Sequence, residues 1–461
     1  MAEQMKYGLV VIGGGPAGYP AAIRAAQLGV PTCLVEMDEL GGTCLNRGCI
    51  PTKTIISSVR LFDKIQRAEK YGIILSDKPL LEFSEVMRRK AEVVSKLREG
   101  VRALLKANGV SYIKGKGEIV SPGRVLVGRD EILADNIIIA SGSRPKCIKG
   151  MEPDGRFILS SDEALDISEL PKSVMILGGG VLGCEFGYIF SAAGAKVYIV
   201  EVMSRLLPTE DEELSRIIHR SFKRRGVEVI TCTSVLDIKE DGDHLLVRLS
   251  DDRFIEVERI ISAVGREPLL DGLGATKLGL QLEKGGIATD EKMATNIHGV
   301  YAAGDVTGKY MLAHVAMEEG MVAAENIAGI QRKMDYLSIP RPIFTDPELV
   351  GVGMTKEEIV RSGIDYKEGR FFLASSAKAL CNGETEGVVI VYGDAACGRI
   401  LGASLAGEGV VELASEIALA IKCGLTLKDV SELIHPHPSL SEAVKEASAS
   451  ALGFSVHKAK R

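Results

Sequence analysis

An α/β chain in which strand, glycine-rich turn and helix occur twice, followed by an α+β domain, is the architecture the sequence predicts. Three observations carry it. The apolar run Tyr7 to Ile12 leads into Gly13-Gly14-Gly15-Pro16-Ala17-Gly18 and a helical stretch to Leu28. The same order recurs as Val174 to Leu177, Gly178-Gly179-Gly180-Val181-Leu182-Gly183 and a helical stretch through Ala193. From Tyr336 onward the composition shifts to short β-rich segments (RPIFTDPELVGVGMT, EGVVIVYG, RILGASLAG) and two helical patterns.

Each turn is followed by a second strand that ends on an acid, Glu36 and Glu201, in both cases 18 positions after the last glycine. A solitary glycine turn is weak evidence, but the strand, the helix and the acid accompany both copies, so two Rossmann-like dinucleotide-binding units are expected. The glycines let backbone approach a pyrophosphate, the helix N-terminus supplies positive potential, and the carboxylate accepts from ribose hydroxyls. A carboxylate at Glu201 also repels a 2′-phosphate, and EVMSRLLP after it offers only Arg205 as a cation. NAD is therefore favoured over NADP at the second unit.

Directly after the first unit, GGTCLNRGCIPTK places Cys44 and Cys49 five positions apart. A disulfide needs Cα atoms about 4.4–6.8 Å apart, whereas residues five apart on a regular helix lie roughly 8–9 Å apart. The backbone must bend between them, and Gly48 permits it. Pro51 suits a first helical turn, which puts Cys49 near a helix N-terminus, where the dipole favours a thiolate. A pair so placed can meet a flavin as a redox disulfide; two unrelated buried thiols is the alternative. Zinc fits less well, because the other seven cysteines form no second close pair and neighbour no histidine. Two helices are expected between about residues 52 and 108, then short strands ending in NIIIASGSRP.

Two later stretches carry chemistry. Gly304-Asp305 closes the strand Val300 to Ala303, where an acid can hold ribityl or pyrophosphate groups or simply face solvent. In HPHPSLSE, His437 can act as an acid or base near neutral pH with Glu442 orienting it, or Ser439 to Glu442 can be a capping box with the histidines merely near a helix start.

At 461 residues the chain allows about three domains. A net charge of −6 with mixed signs argues against nucleic acid or anionic membrane as the main partner and for small molecules. Nine scattered cysteines fit a reducing compartment, and the first strand begins within a few residues with no room for a targeting peptide, so a cytoplasmic location is expected. No apolar run approaches about 18 residues.

Taken together, GGTCLNRGCIPTK, the two glycine turns, the strand ending AAGD, MLAHVAMEEG, TDPELVGVG and HPHPSLSE closely resemble, in the same order from about residue 6 to 455, the flavoprotein disulfide reductases, and among them those that oxidise dihydrolipoamide. The resemblance implies FAD and NAD as cofactors. It implies an FAD-binding domain in two pieces, residues 1–147 and 269–335, an inserted NAD-binding domain over 148–268, and an interface domain over 336–461 that makes a homodimer with shared active sites. Cys49 is then the sulfur facing the flavin and Cys44 the interchange sulfur attacked by the thiol. Lys53 is the cation near the flavin, paired with Glu185, and His437 with Glu442 reaches across from the other subunit as base and orienting carboxylate. On that reading Glu442 does one job, the orienting one.

The cofactor contacts implied are Gly13, Gly15, Pro16, Ala17 and Gly18 with Glu36 in the first unit, and Gly178, Gly180 and Gly183 with Glu201 in the second. Gly42, Thr43, Lys53, Ser141 and Gly142 join them, as do Asp305 and the backbone of Met311, Leu312 and Ala313. Gly265 and Arg266 complete the set, and no metal is expected. The implied substrate is the lipoyl group of a 2-oxo acid dehydrogenase or glycine-cleavage complex, brought by a separate lipoyl domain. One departure is Val315, where many relatives carry lysine.

Rival activities lack their signatures. A glutathione-reductase-like enzyme normally carries basic residues after the second acidic strand, and Glu201 opposes that. Mercuric and large thioredoxin reductases add a terminal cysteine pair, whereas the last cysteine here is Cys423. A non-catalytic flavoprotein assembly subunit would have no need for both cysteines and the His437–Glu442 pair.

Overall fold

The computed structural model describes residues 5–275 and 277–457. The first sheet has the order Ser111–Lys114, Thr32–Glu36, Met5–Ile12, Asp130–Ile139, Arg124–Val127, Gly117–Ser121, and Val300–Ala302 also pairs with Asp130–Ile139. Its core is parallel, with Val11 beside Leu34 on one flank and Ile138 on the other. Leu9, Val10 and Val11 are fully buried, which is why this strand reads as an unbroken apolar run rather than an alternating one. Val300–Ala302 adds in parallel next to Ile137–Ile139 and so brings the 300s back to the N-terminal sheet.

The helix Gly18–Gln27 packs on Ala313–Ile327 through small side chains, Ala21, Ala22 and Ala25 on one, Ala316, Ala323 and Ala324 on the other. The approach is so close that a Cβ on Gly320 would stand 2.1 Å from the Ala17 carbonyl oxygen. The second sheet is parallel throughout, in the order Glu228–Ile230, Lys196–Val200, Ser173–Leu177, Arg259–Ser262, Ile158–Ser160. A three-stranded antiparallel sheet over 235–257 lies against it. Ser143–Pro145 and Arg266–Pro268 pair antiparallel where the chain crosses between the first and second sheets.

The C-terminal part is a five-stranded antiparallel sheet in the order Pro340–Ile343, Leu349–Gly353, Ile400–Ala406, Val388–Asp394, Tyr366–Phe372. The helices Val410–Lys422 and Glu442–Ala451 cover one face. The two helices expected between residues 52 and 108 are Cys49–Gln66 and Phe83–Ala107. The short helix Gly42–Arg47 before them has no counterpart in the sequence reading, because six residues flanked by Gly41 and Gly48 give no apolar period. Among the described residues no helix is long and apolar enough to cross a membrane, and no cluster of three or more metal-ligating side chains forms.

Candidate active site

A cavity of about 880 Å³ opens where the first glycine turn, the cysteine segment, residues 140–145 and the 303–317 region converge. The helices Gly18–Gln27 and Val181–Ala193 both begin without a side-chain cap. No side chain competes with an anion at either helix start, although the Gly18 and Tyr19 amides already donate to the Gly15 carbonyl at 3.0 and 3.1 Å. In each turn the glycines divide the work. A Cβ on Gly18 would stand 1.8 Å from the Gly13 oxygen, and one on Gly183 would stand 1.9 Å from the Gly178 oxygen, so these positions exist to let the helix close on the turn. Gly180 by contrast meets nothing within 4 Å and Gly15 only the Gly42 Cα at 3.6 Å, which leaves an open face for a ligand. The residues fit a dinucleotide at both turns.

The two acids repeat one geometry. Glu36 accepts from the Gly14 amide at 2.6 Å and the Asp38 amide at 2.7 Å; Glu201 accepts from the Gly179 amide at 2.6 Å and the Met203 amide at 2.7 Å. Each carboxylate oxygen keeps a lone pair for a ribose hydroxyl. Burial pushes the Glu36 carboxyl upward against the pull of the Gly14 and Met37 backbone and of Arg47. Arg205 is spoken for: its guanidinium donates to Glu357 at 3.1 Å and to the carbonyls of Pro208 at 3.3 Å and Glu210 at 3.1 Å.

Cys44 sits inside the helix Gly42–Arg47 and Cys49 opens the next helix, with Gly48 between them at φ −145° and ψ −113°, neither helical nor extended. A side chain on Gly48 would press on the Thr43 carbonyl oxygen at 3.1 Å. The bend required for two cysteines five apart is thus a break between two helices. Both sulfurs are free thiols in the structure. The Cys44 thiol hydrogen-bonds the Cys49 sulfur; that bond and burial push the Cys44 thiol up, while the same bond, with help from Lys53, brings Cys49 down to about 7 against the opposing effect of burial. Cys49 is the more readily ionised of the pair.

One turn further on, Lys53 donates to both oxygens of Glu185 at 2.8 Å and lies 4.7 Å from the Phe344 ring centroid. Glu185 is 1% exposed and takes a third bond from the Phe344 amide at 3.1 Å. The cation, its carboxylate, the two sulfurs, Gly42, Thr43, Pro16 and Ala17 all line the cavity.

Asp305 lines it too, accepting from the Ser143 hydroxyl at 2.6 Å; Arg266 donates to that hydroxyl at 2.9 Å, to the Ser143 carbonyl at 3.0 Å and to Asp162 at 3.0 Å. Burial pushes the Asp305 carboxyl up, opposed by Ser143 and Arg266. Arg266 thus serves the first cavity rather than the second glycine turn, and Gly265 stands behind it with its carbonyl on the Lys146 amide at 3.0 Å. Ser141 and Gly142 form part of the wall, the Ser141 hydroxyl donating to the Leu269 carbonyl at 2.8 Å. Met311, Leu312 and Ala313 face the cavity at the start of the helix Ala313–Ile327, and Val315 is buried at 2% exposure.

Sequence reasoning missed several groups. Ser143 and Asp162 were hidden because a hydroxyl and an acid in loops give no period; Ser143 follows Ser141 by only two positions, which is the signal that pointed near it. Glu319, wholly buried, accepts from the Gly304 amide at 2.7 Å and the Tyr336 hydroxyl at 2.7 Å and so fixes the turn that carries Asp305.

His437 and Glu442 form the expected pair, Nδ1 to Oε1 at 2.9 Å, but stand on an exposed surface and are not among the side chains lining the cavity. Glu442 does two jobs rather than one: its other oxygen accepts from the Ser439 amide at 2.9 Å. The reciprocal half of a capping box is absent, because the Ser439 hydroxyl bonds Ser441 instead and the helix Glu442–Ala451 has no side-chain cap. Burial pushes Glu442 up, but the Ser439 amide and His437 outweigh it and hold the carboxyl below its ordinary value. His435 is structural, nearly buried and bonded to Glu416 at 2.9 Å and to the Leu433 carbonyl at 3.1 Å.

Residues 7–320 match the family model described as pyridine nucleotide-disulphide oxidoreductase, and residues 339–448 match the dimerisation domain of the same family. The chain is 40% identical to a dihydrolipoyl dehydrogenase of Chlorobaculum tepidum, covering 97% of each chain. It is 37% identical to one of Bacillus subtilis, over 98% of this chain and 99% of that one. Among solved structures, LpdA from Mycobacterium tuberculosis superposes with a TM-score of 0.90 at 28% identity, over 96% of this chain and 99% of that one. The flavoprotein disulfide reductase RclA from Escherichia coli does so with a TM-score of 0.85, at the same identity and coverage. Two uncapped glycine turns, each with its clamped acid, a hydrogen-bonded thiol pair and these full-length likenesses have one common explanation, that the chain belongs to the pyridine nucleotide-disulphide oxidoreductases.

Proposed function

We propose that this enzyme oxidises dihydrolipoamide to lipoamide and passes the electrons to NAD+, using FAD and the Cys44–Cys49 pair. The observation that carries the reading is the Lys53–Glu185 ion pair beside a pair of hydrogen-bonded thiols, of which Cys49 at the helix start is the more acidic. The first glycine turn, Glu36, Ser143 and Asp305 would hold FAD, which when bound would supply the two-electron relay between dithiol and nicotinamide. The domain assignment follows the sequence reading: residues 1–147 and 269–335 hold FAD, 148–268 hold NAD, and 336–461 form the dimer contact.

The protein's own groups perform the thiol chemistry. In the oxidised state Cys44 and Cys49 are a disulfide. A thiol of dihydrolipoamide gives its proton to His437 of the partner subunit, and the resulting thiolate attacks the Cys44 sulfur, expelling Cys49 as thiolate. The second thiol of the same substrate then attacks its own sulfur in the mixed disulfide, releasing lipoamide and leaving Cys44 reduced. Lys53 neutralises the Cys49 thiolate and is itself held by Glu185, and Glu442 keeps the His437 ring oriented through Nδ1. The lipoyl group arrives on a separate lipoyl domain, and a reducing cytoplasm suits the five exposed cysteines outside the site.

The test is steady-state oxidation of dihydrolipoamide with NAD+ against NADP+, with NADPH and glutathione disulfide as control. NAD+ should be preferred by at least about tenfold in kcat/KM. Activity confined to NADPH and glutathione disulfide would overturn the substrate and the cofactor choice together.

A further inference from the structure

The loop Glu201 to Asp211 is held at both ends. Near its start Glu201 clamps the Gly179 and Met203 amides, and the Leu207 amide donates back to the Gly179 carbonyl at 2.8 Å. Its end is fastened to the C-terminal sheet. Glu210, 2% exposed, receives Arg341 in a two-pronged contact, Nε to Oε1 at 2.8 Å and a terminal nitrogen to Oε2 at 3.2 Å. The remaining Arg341 prong donates to the Gly353 carbonyl at 2.9 Å. Gly351 leaves no slack, since a Cβ there would lie 2.3 Å from Glu210 Oε2 and 2.6 Å from the Arg341 guanidinium. Asp211 next to it accepts from the Lys356 amide at 2.7 Å, from the Tyr392 hydroxyl at 3.0 Å and from Ser404.

The same strand reaches the site a second time. Pro340–Ile343 carries Arg341, and the residue that follows it, Phe344, donates its amide to Glu185 at 3.1 Å. Glu185 belongs to the helix that begins at the second glycine turn, and Glu210 to the loop that follows the second acidic strand. One strand of the C-terminal domain therefore fixes two elements of the nucleotide-binding sheet relative to each other. Thr209, Glu210, Arg341, Phe344 and Glu185 all form wall of the same cavity. Such a bidentate, largely buried ion pair is a geometric device as well as an attraction.

We propose that Arg341 is a positioning residue for the nucleotide half of the reaction, acting through Glu210 to hold the loop after Glu201, and with it the second dinucleotide site, in register with Lys53–Glu185. The inference rests on the reading of this site as the NAD site of a dihydrolipoamide-oxidising enzyme. It predicts a split. The half of the reaction carried out by the cysteines needs Cys44, Cys49, the Lys53–Glu185 pair and His437 of the partner subunit, none of which bonds to Arg341, whereas NAD+ would meet the loop.

Three variants of the FAD-loaded dimer separate the possibilities: Arg341→Met removes the charge, Arg341→Lys keeps it without the fork, and Glu210→Gln keeps the shape without the charge. The dissociation constant of NAD+ is read by isothermal titration into oxidised protein, where no turnover occurs. Reduction of the protein by dihydrolipoamide is followed separately in anaerobic stopped flow, and FAD content is measured on the same samples. Arg341→Met should weaken NAD+ about tenfold, as a displaced loop would, with Arg341→Lys and Glu210→Gln in between and reduction by dihydrolipoamide within twofold of wild type. If Arg341→Met does not fold, the two milder variants decide. NAD+ binding unchanged in all of them, or reduction by dihydrolipoamide and FAD retention falling in step with it, overturns the proposal. A wild type that dihydrolipoamide fails to reduce would overturn the substrate reading instead, while the NAD+ titrations would still judge Arg341.

Discussion

Cys44→Ala and Cys44→Ser differ in one respect that the structure makes decisive. Each leaves Cys49 as the only thiol of the pair, but serine keeps a hydroxyl donor where the Cys44 thiol stood and alanine keeps none. In the dithiol, Cys49 is brought from 9.0 to about 7, and the hydrogen bond from Cys44 is the largest cause, ahead of Lys53 among the groups that lower it. That is about a hundredfold in proton affinity. At pH 7 such a sulfur is about half thiolate, against roughly 1% for an ordinary thiol. With Lys53 still present, loss of the donor alone should return at least one of the two decades. The assay is the second-order rate of iodoacetamide labelling of the Cys49-containing peptide, read by mass spectrometry from pH 5 to 10 so that the exposed cysteines do not interfere. Cys44→Ser should inflect close to the wild-type value and Cys44→Ala about one pH unit higher, with roughly tenfold slower labelling at pH 7. Adding Lys53→Met to Cys44→Ser should raise the inflection as well, because the remaining cation goes. Identical inflections for Ala and Ser would refute the hydrogen-bond argument and leave Lys53 and the helix start to account for the thiolate.

Three further outcomes are expected. Glu201→Ala should raise the KM for NAD+ by about tenfold and narrow the preference over NADP+, measured in steady state with dihydrolipoamide; a wild type that uses both nucleotides equally well contradicts the reasoning. Gly320→Ala, whose methyl would stand 2.1 Å from the Ala17 oxygen, should force the helix Ala313–Ile327 off the first glycine turn and yield protein with little bound FAD, seen as a loss of the absorbance near 450 nm; full FAD content would show that the contact is soft. Inactive Cys44→Ala and His437→Ala dimers, dissociated and mixed, should recover about a quarter of wild-type activity, because half of the reassembled dimers carry one working site of two. Full subunit exchange without recovery would rule out a site shared between subunits.

The sheets and the two nucleotide units were legible because each rests on a short-range pattern. An apolar run such as Leu9-Val10-Val11 declares a strand buried on both faces, and a glycine turn with an acid 18 residues beyond it declares strand, helix and strand at once. Cys44 and Cys49 announced a bend by their spacing, though not that the bend would be a break between two helices. The interactions that cross the chain had no such signature. Glu185 needs Phe344, Asp305 needs Ser143, Ser143 needs Arg266, and Glu210 needs Arg341, each pair separated by more than a hundred residues. Arg205 shows the same limit from the other side. Its position after Glu201 made it the only cation to weigh against NAD, and only the fold shows that Glu357 and two carbonyls already hold it. For Glu442 the sequence posed a choice between a capping role and a histidine contact, and a carboxylate with two oxygens had no need to choose.

The clamps at Glu36 and Glu201 change what an experiment on them measures. Each carboxylate ties its glycine turn to the end of its own strand before any nucleotide is present, with two backbone amides at 2.6 and 2.7 Å. The entropy of ordering that turn is settled during folding, so the ligand meets a rigid mould and spends little of its affinity on shaping it. Deleting either side chain removes the acceptor proposed for ribose and also releases the mould. The penalty seen on truncation will therefore exceed the strength of the ribose contact itself, and only a substitution that keeps the two amide bonds while blocking the outer lone pairs would isolate that contact.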